Sequence, residues 1–282
     1  MAADTTLAGL DALELAPETK GAGGGERLRR VWAALWPKLA AVALVWLVWE
    51  LVHLTGWKKL VLPGPGVTLS NLWDQAQTSL LWHAAGDTLL RAVLGYAIAV
   101  VIGTVVGLLV ARIPPLRAAV GSLITGLQTL PSAAWIPFAI ILFGLSTSTI
   151  LFIIVMAAAP AIANGVISGV DYIPPLLLKS GKMIGLRGLR MTWHLIIPAA
   201  LPTFTASLKQ AWAFTWHALL TAELLVLVAG VPSIGQLFSA DQEQTDMPST
   251  IAVMIVILVL GIAADAGFGL ANRAIRKRWG LL

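Results

Sequence analysis

The sequence predicts an all-α, polytopic membrane protein of about six transmembrane helices, with one cytoplasmic loop that carries a short amphipathic helix. Three observations predict it. Of 282 residues, 58% are hydrophobic and only 12% are charged, about half the charged share of an ordinary soluble domain. That leaves too little polar surface to cover a soluble fold. Apolar stretches long enough to cross roughly 30 Å of hydrocarbon, about 20 residues each, recur six times. The bases collect in alternate loops, the pattern of a threaded membrane chain.

The spans run from about Lys38 to Trp57, Thr88 to Ala111, Leu116 to Phe143, Thr149 to Val170, Ala199 to Ala229 and Ser249 to Asn272. The third contains Pro131 and Pro137, which split it into a short helix and a re-entrant piece. Ahead of the first span, residues 1–37 read as a flexible cytoplasmic tail, acidic and then basic, leaving 38–282 as the transmembrane domain. Its first 26 residues hold Asp4, Asp11, Glu14, Glu18 and Glu26 against Lys20, with a glycine-rich run from Gly21 to Gly25. It lacks the basic start, apolar core and small-residue cleavage site of a signal peptide.

Charge orients the bundle. Arg27, Arg29 and Arg30 precede span one, Arg112 and Arg117 flank the loop between spans two and three, Lys179, Lys182, Arg187 and Arg190 lie between four and five, and Arg273, Arg276, Lys277 and Arg278 follow six. The intervening loops carry Lys58 and Lys59, then Asp241, Glu243 and Asp246. Both termini are therefore expected in the cytoplasm. The net charge of +5 is then a topology signal and implies no nucleic-acid partner. The interface belt is expected to hold Trp46, Trp49, Trp57 and Trp279.

Several chemistries are excluded. With no cysteine there is no disulfide scaffold, catalytic thiol or Cys-ligated metal. The histidines, His53, His83, His194 and His217, have no metal-ligand spacing. Neither a GxSxG elbow nor a GxxxxGK[ST] phosphate loop occurs. An enzyme is not expected. If transport is ATP-driven, ATP and magnesium belong to another chain.

The loop between spans four and five, about 171–194, carries the most specific pattern. Pro174 and Pro175 suit a helix start, Gly185 suits a stop, and a second amphipathic piece from Leu186 to Trp193 follows. Gly185 and Pro198 are thirteen residues apart, with Leu195 and Ile197 in the apolar positions before the proline. This resembles the cytoplasmic Glu-Ala-Ala…Gly…Ile-x-Leu-Pro signature of bacterial ABC importer membrane subunits, except that Lys179, Ser180 and Gly181 replace the triplet. Thr129-Leu130-Pro131, Ile136-Pro137, Leu142-Phe143-Gly144, Ala159-Pro160, Asn164, Pro198-Ala199-Ala200-Leu201-Pro202, Thr221-Ala222-Glu223-Leu224-Leu225 and Leu62-Pro63-Gly64-Pro65 resemble the permeases for nitrate, aliphatic sulfonates and taurine, over roughly residues 40 to 280. The resemblance implies a type I importer fold and a bacterial inner-membrane location. It implies a homodimer, two ATPase subunits and an external solute-binding protein. It also implies that Lys179, Ser180, Gly181, Lys182, Met183, Gly185, Leu186, Arg187 and Arg190 couple to the ATPase. Read on its residues alone, the same segment is equally an interfacial helix with snorkelling bases.

Span five holds charges at membrane depth, which normally face a cavity or a partner. Lys209, Trp216 and Glu223 recur every seven residues, close to two helical turns, with Trp212 beside them. One reading is a translocation path in which Lys209 attracts an anion, Trp212 and Trp216 narrow the way, and Glu223 pairs or gates. The other pairs Lys209 with Asp265 and leaves the tryptophans as packing. Asn164 is expected to bridge helices. Two further functions stay open: an ion-coupled secondary transporter using Lys209, Glu223 and Asp265, and a membrane scaffold. Bicarbonate or an uncharged vitamin precursor remains an alternative cargo.

Overall fold

The structure, a computed structural model, describes residues 24–56 and 61–278, and every regular element among them is helical. The chain divides into two compact units, Met1–Lys59 and Leu60–Leu282, a later boundary than the one expected after residue 37. In the first unit, helix α1 spans Gly24–Leu54. It starts inside the expected flexible tail because Glu26, Arg27, Leu28 and Arg29 are good helix formers that lead directly into the apolar stretch Leu35–Leu54. Pro37 sits within this helix. Trp46 and Trp49 pack together with ring centroids 6.4 Å apart. The rest of the expected tail, the outer bases Lys58 and Lys59, and the belt residues Trp57 and Trp279 lie outside the described residues.

The second unit runs through α2 (Pro65–Ala76), α3 (Ser79–Arg112), α4 (Pro114–Thr129), a 3-10 turn (Ser132–Trp135), α5 (Ile136–Phe143) and α6 (Thr147–Asp171). It continues through α7 (Pro175–Met183), α8 (Gly188–Met191), a π turn (Thr192–Ile196), α9 (Ile197–Leu225), α10 (Ile234–Glu243) and α11 (Met247–Arg278). Leu35–Leu54 of α1, then α3, α6 and Met247–Leu270 of α11, are long and apolar enough to cross a membrane. The expected third span is broken: α4 and the stretch Ser132–Phe143 meet at 106°. Leu130, preceding Pro131, is extended at φ −71° and ψ 128°, as a residue before proline prefers. Pro137 then sits in the first turn of α5, where its missing N–H costs nothing.

The expected fifth span, α9, has 29 residues, about 43 Å at 1.5 Å per residue. It is long enough to cross but is not among the helices apolar enough to do so, because Thr, Ser, Gln and charged residues interrupt it. It ends at Leu225, short of the expected Ala229.

The core sits around α6, which lies between α3 and α9. Ile150, Ile153, Ile154 and Ile162 are fully buried against Ala92 and Ala99 of α3 and Ala211, Leu219 and Ala222 of α9. Small residues allow this approach. A Cβ on Gly103 would lie 2.6 Å from the Ala159 carbonyl oxygen, and one on Gly107 would lie 2.8 Å from that of Ala163. On the other flank, Gly165 meets Ser207 and Gly169 meets Ala200. Val93, Val101 and Val105 of α3 point outward, as lipid-facing residues do.

These contacts decide where a methyl group is tolerated. Gly103→Val places carbon against backbone, and overpacking costs about 1–3 kcal/mol. Thermal unfolding of the detergent-solubilised protein is expected to shift down. Gly121→Ala, with open space around its Cβ, is expected to leave the midpoint unchanged or higher; equal shifts for both would refute the packing account.

Candidate functional site

At the end of the second unit that carries Arg112, Arg117, Lys179 and Lys182, α7 stands out from the bundle. Pro174 is its N-cap and Pro175 its first residue. Gly185 ends it at φ +82°. The Leu186 N–H donates to the Gly181 carbonyl at 2.9 Å and the Gly185 N–H to that of Lys182 at 3.1 Å, the paired bonds of a Schellman stop, which glycine suits. Gly181 faces inward, since a Cβ there would meet Leu195 Cδ1 at 2.7 Å, and Leu186 is half-buried. Lys179, Ser180, Lys182, Met183, Gly185, Arg187 and Arg190 are exposed. Three apolar side chains join them at the surface: Leu176 is 75% exposed, Met183 87% and Ile184 76%. The nine residues expected to act together thus run from α7 through the Gly185 stop to Arg190 of the short α8, and seven of them are exposed, with Gly181 as the foot of α7.

The foot is held firmly. Arg117 of α4 forms a two-pronged salt bridge with Asp171 at the end of α6, one limb at 2.8 Å. Past Gly188, the short α8 and the π turn lead without a break into α9. Such turns are frequent at functional positions.

Along α9, side chains divide by helical angle, about 100° per residue. Lys209, Trp212, Trp216 and Glu223 share one side, as their spacing predicts, but the structure gives them different environments. Trp212 is buried, stacked on Phe268 at 6.0 Å and edge-on to Tyr96 at 5.3 Å. Trp216 is half-buried and seated over Gly261 of α11. Both line a groove of about 740 Å³ between α9 and α11, together with His217, Met254 and Asp265. Lys209 Nζ lies 3.7 Å from Asp265 Oδ2, each side chain 54% exposed, so the pairing anticipated as the alternative is present. The roughly opposite side of α9 presents Thr203, Ser207 and Gln210. They line a second, polar cavity of about 390 Å³ with Gln128 of α4 and Asn164 and Ser168 of α6. Asn164 Nδ2 donates to Gln128 Oε1 at 2.6 Å, the expected helix bridge. Exposed Ala206, Ala213 and His217 run between the two hollows.

Glu223 lines neither. It is fully buried and forms an ion pair with Arg91 of α3, Nη1 to Oε1 at 2.9 Å. The Thr88 hydroxyl donates to Oε2 at 2.9 Å and the Gly235 N–H at 3.3 Å. Thr88 Oγ1 in turn accepts the Ile234 N–H at 3.1 Å. The carboxylate therefore joins α3, the last turn of α9 and the first turn of α10. Sequence reasoning missed Arg91 and Thr88, although a base within the second expected span opposite an acid within the fifth was the available signal.

This clamp is testable by pairing. Removing one member of a buried ion pair costs about 3–5 kcal/mol, whereas an apolar replacement of both is often near neutral. Arg91→Met and Glu223→Leu are each expected to lower the thermal midpoint in detergent. Arg91→Met with Glu223→Leu is expected to recover part of the loss, and additive losses would show the pair to be uncoupled.

Comparison with known proteins agrees with this architecture. Residues 77–277 match the family described as "Binding-protein-dependent transport system inner membrane component". The chain is 26% identical over 235 residues to the taurine transport system permease protein TauC of Escherichia coli (strain K12), covering 80% of this chain and 84% of that protein. It is 24% identical over 274 residues to the bicarbonate transport system permease protein CmpB of Synechocystis sp., covering 90% and 95%. Among solved structures, the inward-facing MetNI methionine ABC transporter matches with a TM-score of 0.60 at 18% identity, over 71% of this chain and 98% of that one. A bacterial ABC transporter that imports the acidic polysaccharide alginate matches at 0.61 and 15% identity, over 89% and 99%. With more than half of its length matched, the chain belongs to the binding-protein-dependent inner-membrane transport family and is an ABC importer permease subunit.

Proposed function

We propose that this permease imports a small anion, an aliphatic sulfonate, taurine or nitrate, as a homodimer served by two ATPase subunits and an external solute-binding protein, with both termini in the cytoplasm. The observation that carries the coupling role is the projecting α7 turn. Leu176, Met183 and Ile184 are exposed among four bases, and an apolar tip rimmed by charge marks a partner surface. ATP and magnesium would be held by the ATPase that receives this tip. Displacement of the tip passes through Gly185 and the π turn into α9, the helix that walls both hollows.

An anion as cargo is supported by two features. The taurine and sulfonate permeases of Escherichia coli are each 26% identical to the chain. Lys209 stands on the open side of α9 with its charge only loosely met by Asp265 at 3.7 Å. Bicarbonate is the second reading, favoured by the CmpB relative that covers 90% of the chain.

Two measurements check this. Leu176→Asp with Met183→Asp changes only exposed positions, where substitutions cost within about 0.5 kcal/mol. The pair is expected to abolish co-purification of the ATPase at unaltered thermal midpoint; retained binding and uptake would remove α7 from the coupling role. In proteoliposomes holding the complete importer, Lys209→Ala is expected to reduce uptake of labelled taurine several-fold at unchanged basal ATP hydrolysis. Competition by ethanesulfonate, nitrate and bicarbonate ranks the cargo, and wild-type uptake by the Lys209 variant would refute its part in the path.

A further inference from the structure

We infer that the polar cavity between α4, α6 and α9 is a resting site for the transported oxyanion, held by uncharged hydrogen-bond donors. The inference rests on the proposed anion cargo and assigns the place and chemistry of its contact with this chain. The polar lining comes from Gln128, Asn164, Ser168, Thr203, Ser207 and Gln210, all neutral. Its volume, about 390 Å³, falls within the range of about 300–1,000 Å³ usual for small-molecule sites.

The donors are preset and only partly used. The Asn164 amide engages the Gln128 carbonyl oxygen at 2.6 Å, which turns the Gln128 amide nitrogen away from that bond. The Ser207 hydroxyl donates to the Phe204 carbonyl at 2.8 Å, and the approach of Gly165 to Ser207 fixes the wall between α6 and α9. Gln210 is exposed at the mouth. Amides and hydroxyls gathered at the depth of membrane helices need a polar counterpart, because hydrocarbon offers none. Exposed Ala206 and Gln210 both line the cavity, so it reaches the surface along α9.

Neutral donors suit transit. A sulfonate or nitrate spreads one charge over three oxygens, and each oxygen accepts from amide N–H or hydroxyl groups. Conduction needs binding strong enough to admit the ion and weak enough to release it. A fully buried cation would hold the anion too firmly. The nearest base on α9, Lys209, lies about 100° around the helix from Gln210 and leans on Asp265. It attracts the anion to α9 without occupying the cavity.

The test uses the complete importer in proteoliposomes, with its ATPases and binding protein. Ser168→Ala with Gln210→Leu is expected to retain the permease dimer and basal ATP hydrolysis. Taurine uptake should fall about tenfold, the size expected for two neutral hydrogen bonds. Unchanged uptake, or a loss that accompanies dissociation of the dimer, overturns the site. The chain has no cysteine, so Gln210→Cys offers a second measurement. Its modification by 2-sulfonatoethyl methanethiosulfonate is expected to be slowed several-fold by taurine and not by ethanolamine, which lacks the oxyanion. Equal modification rates under all conditions overturn the site even where the wild-type importer takes up taurine normally. A wild-type importer that takes up none of taurine, ethanesulfonate and nitrate overturns the anion reading and, with it, the ligand class named here.

Discussion

Apolar helices in a bilayer gain little by hiding from one another, since lipid is as apolar as leucine. They associate where their surfaces fit closely. In this chain that fit is the contact of α6 with α3 on one flank and α9 on the other. Gly103 and Gly107 bring α3 against the backbone carbonyls of Ala159 and Ala163, and Gly165 brings α6 against Ser207. A side chain at these points would separate the helices by the width of a methyl group. The polar cavity would then change shape, because Ser207 belongs to both the α6–α9 packing seam and the cavity lining.

Polar groups are placed by the same economy. Those with no outlet are satisfied inside the bundle. Glu223 is fully buried and has an ion-pair partner and two hydrogen-bond donors. Those that remain exposed are Lys209 beside Asp265, His217 at the aromatic groove and Gln210 at the polar cavity. Exposure to lipid would be costly for all three, so they need water, solute or protein beside them. The buried charge of Glu223 is a joint between helices and the charge of Lys209 stays at the surface, although both occur on one helix within fifteen residues.

How much of this was legible in the sequence depended on range. Features set by neighbours along the chain were readable. Pro131 broke the third span, Gly185 stopped α7 in a left-handed turn, and a repeat of seven placed Lys209, Trp216 and Glu223 on one side of a helix. Features set across the bundle were not. Helical spacing says which residues share a side and nothing about what covers it. Glu223 is covered because Arg91, 132 positions away, and Gly235 of α10 close over it. The polar cavity escaped notice for a related reason. Gln128, Asn164, Ser168 and Gln210 are unremarkable singly, and only the close seam of α4, α6 and α9 assembles them. At the start of α1 the reverse holds, since Gly24 and Gly25 favour a loop while Glu26 to Arg29 favour the helix that the structure extends back to Gly24.

The clamp and the two hollows follow one another along α9. The helix is continuous from Ile197 to Leu225, entered from the projecting turn and tied near its far end by the Glu223 clamp. It is also seated along its length on α6, where Gly165 meets Ser207 and Gly169 meets Ala200. Gln210 and Thr203 lie about 20 and 30 Å from Glu223 at 1.5 Å per residue, whereas Trp216 lies about 10 Å away. The polar cavity is therefore bordered by the first half of α9, at Thr203, Ser207 and Gln210, and the aromatic groove by its second half, from Trp212 to Leu224. The hydroxyls and amide that α9 gives to the polar cavity thus stand on the half entered from the projecting turn, and the aromatic rings on the half that ends at the clamp.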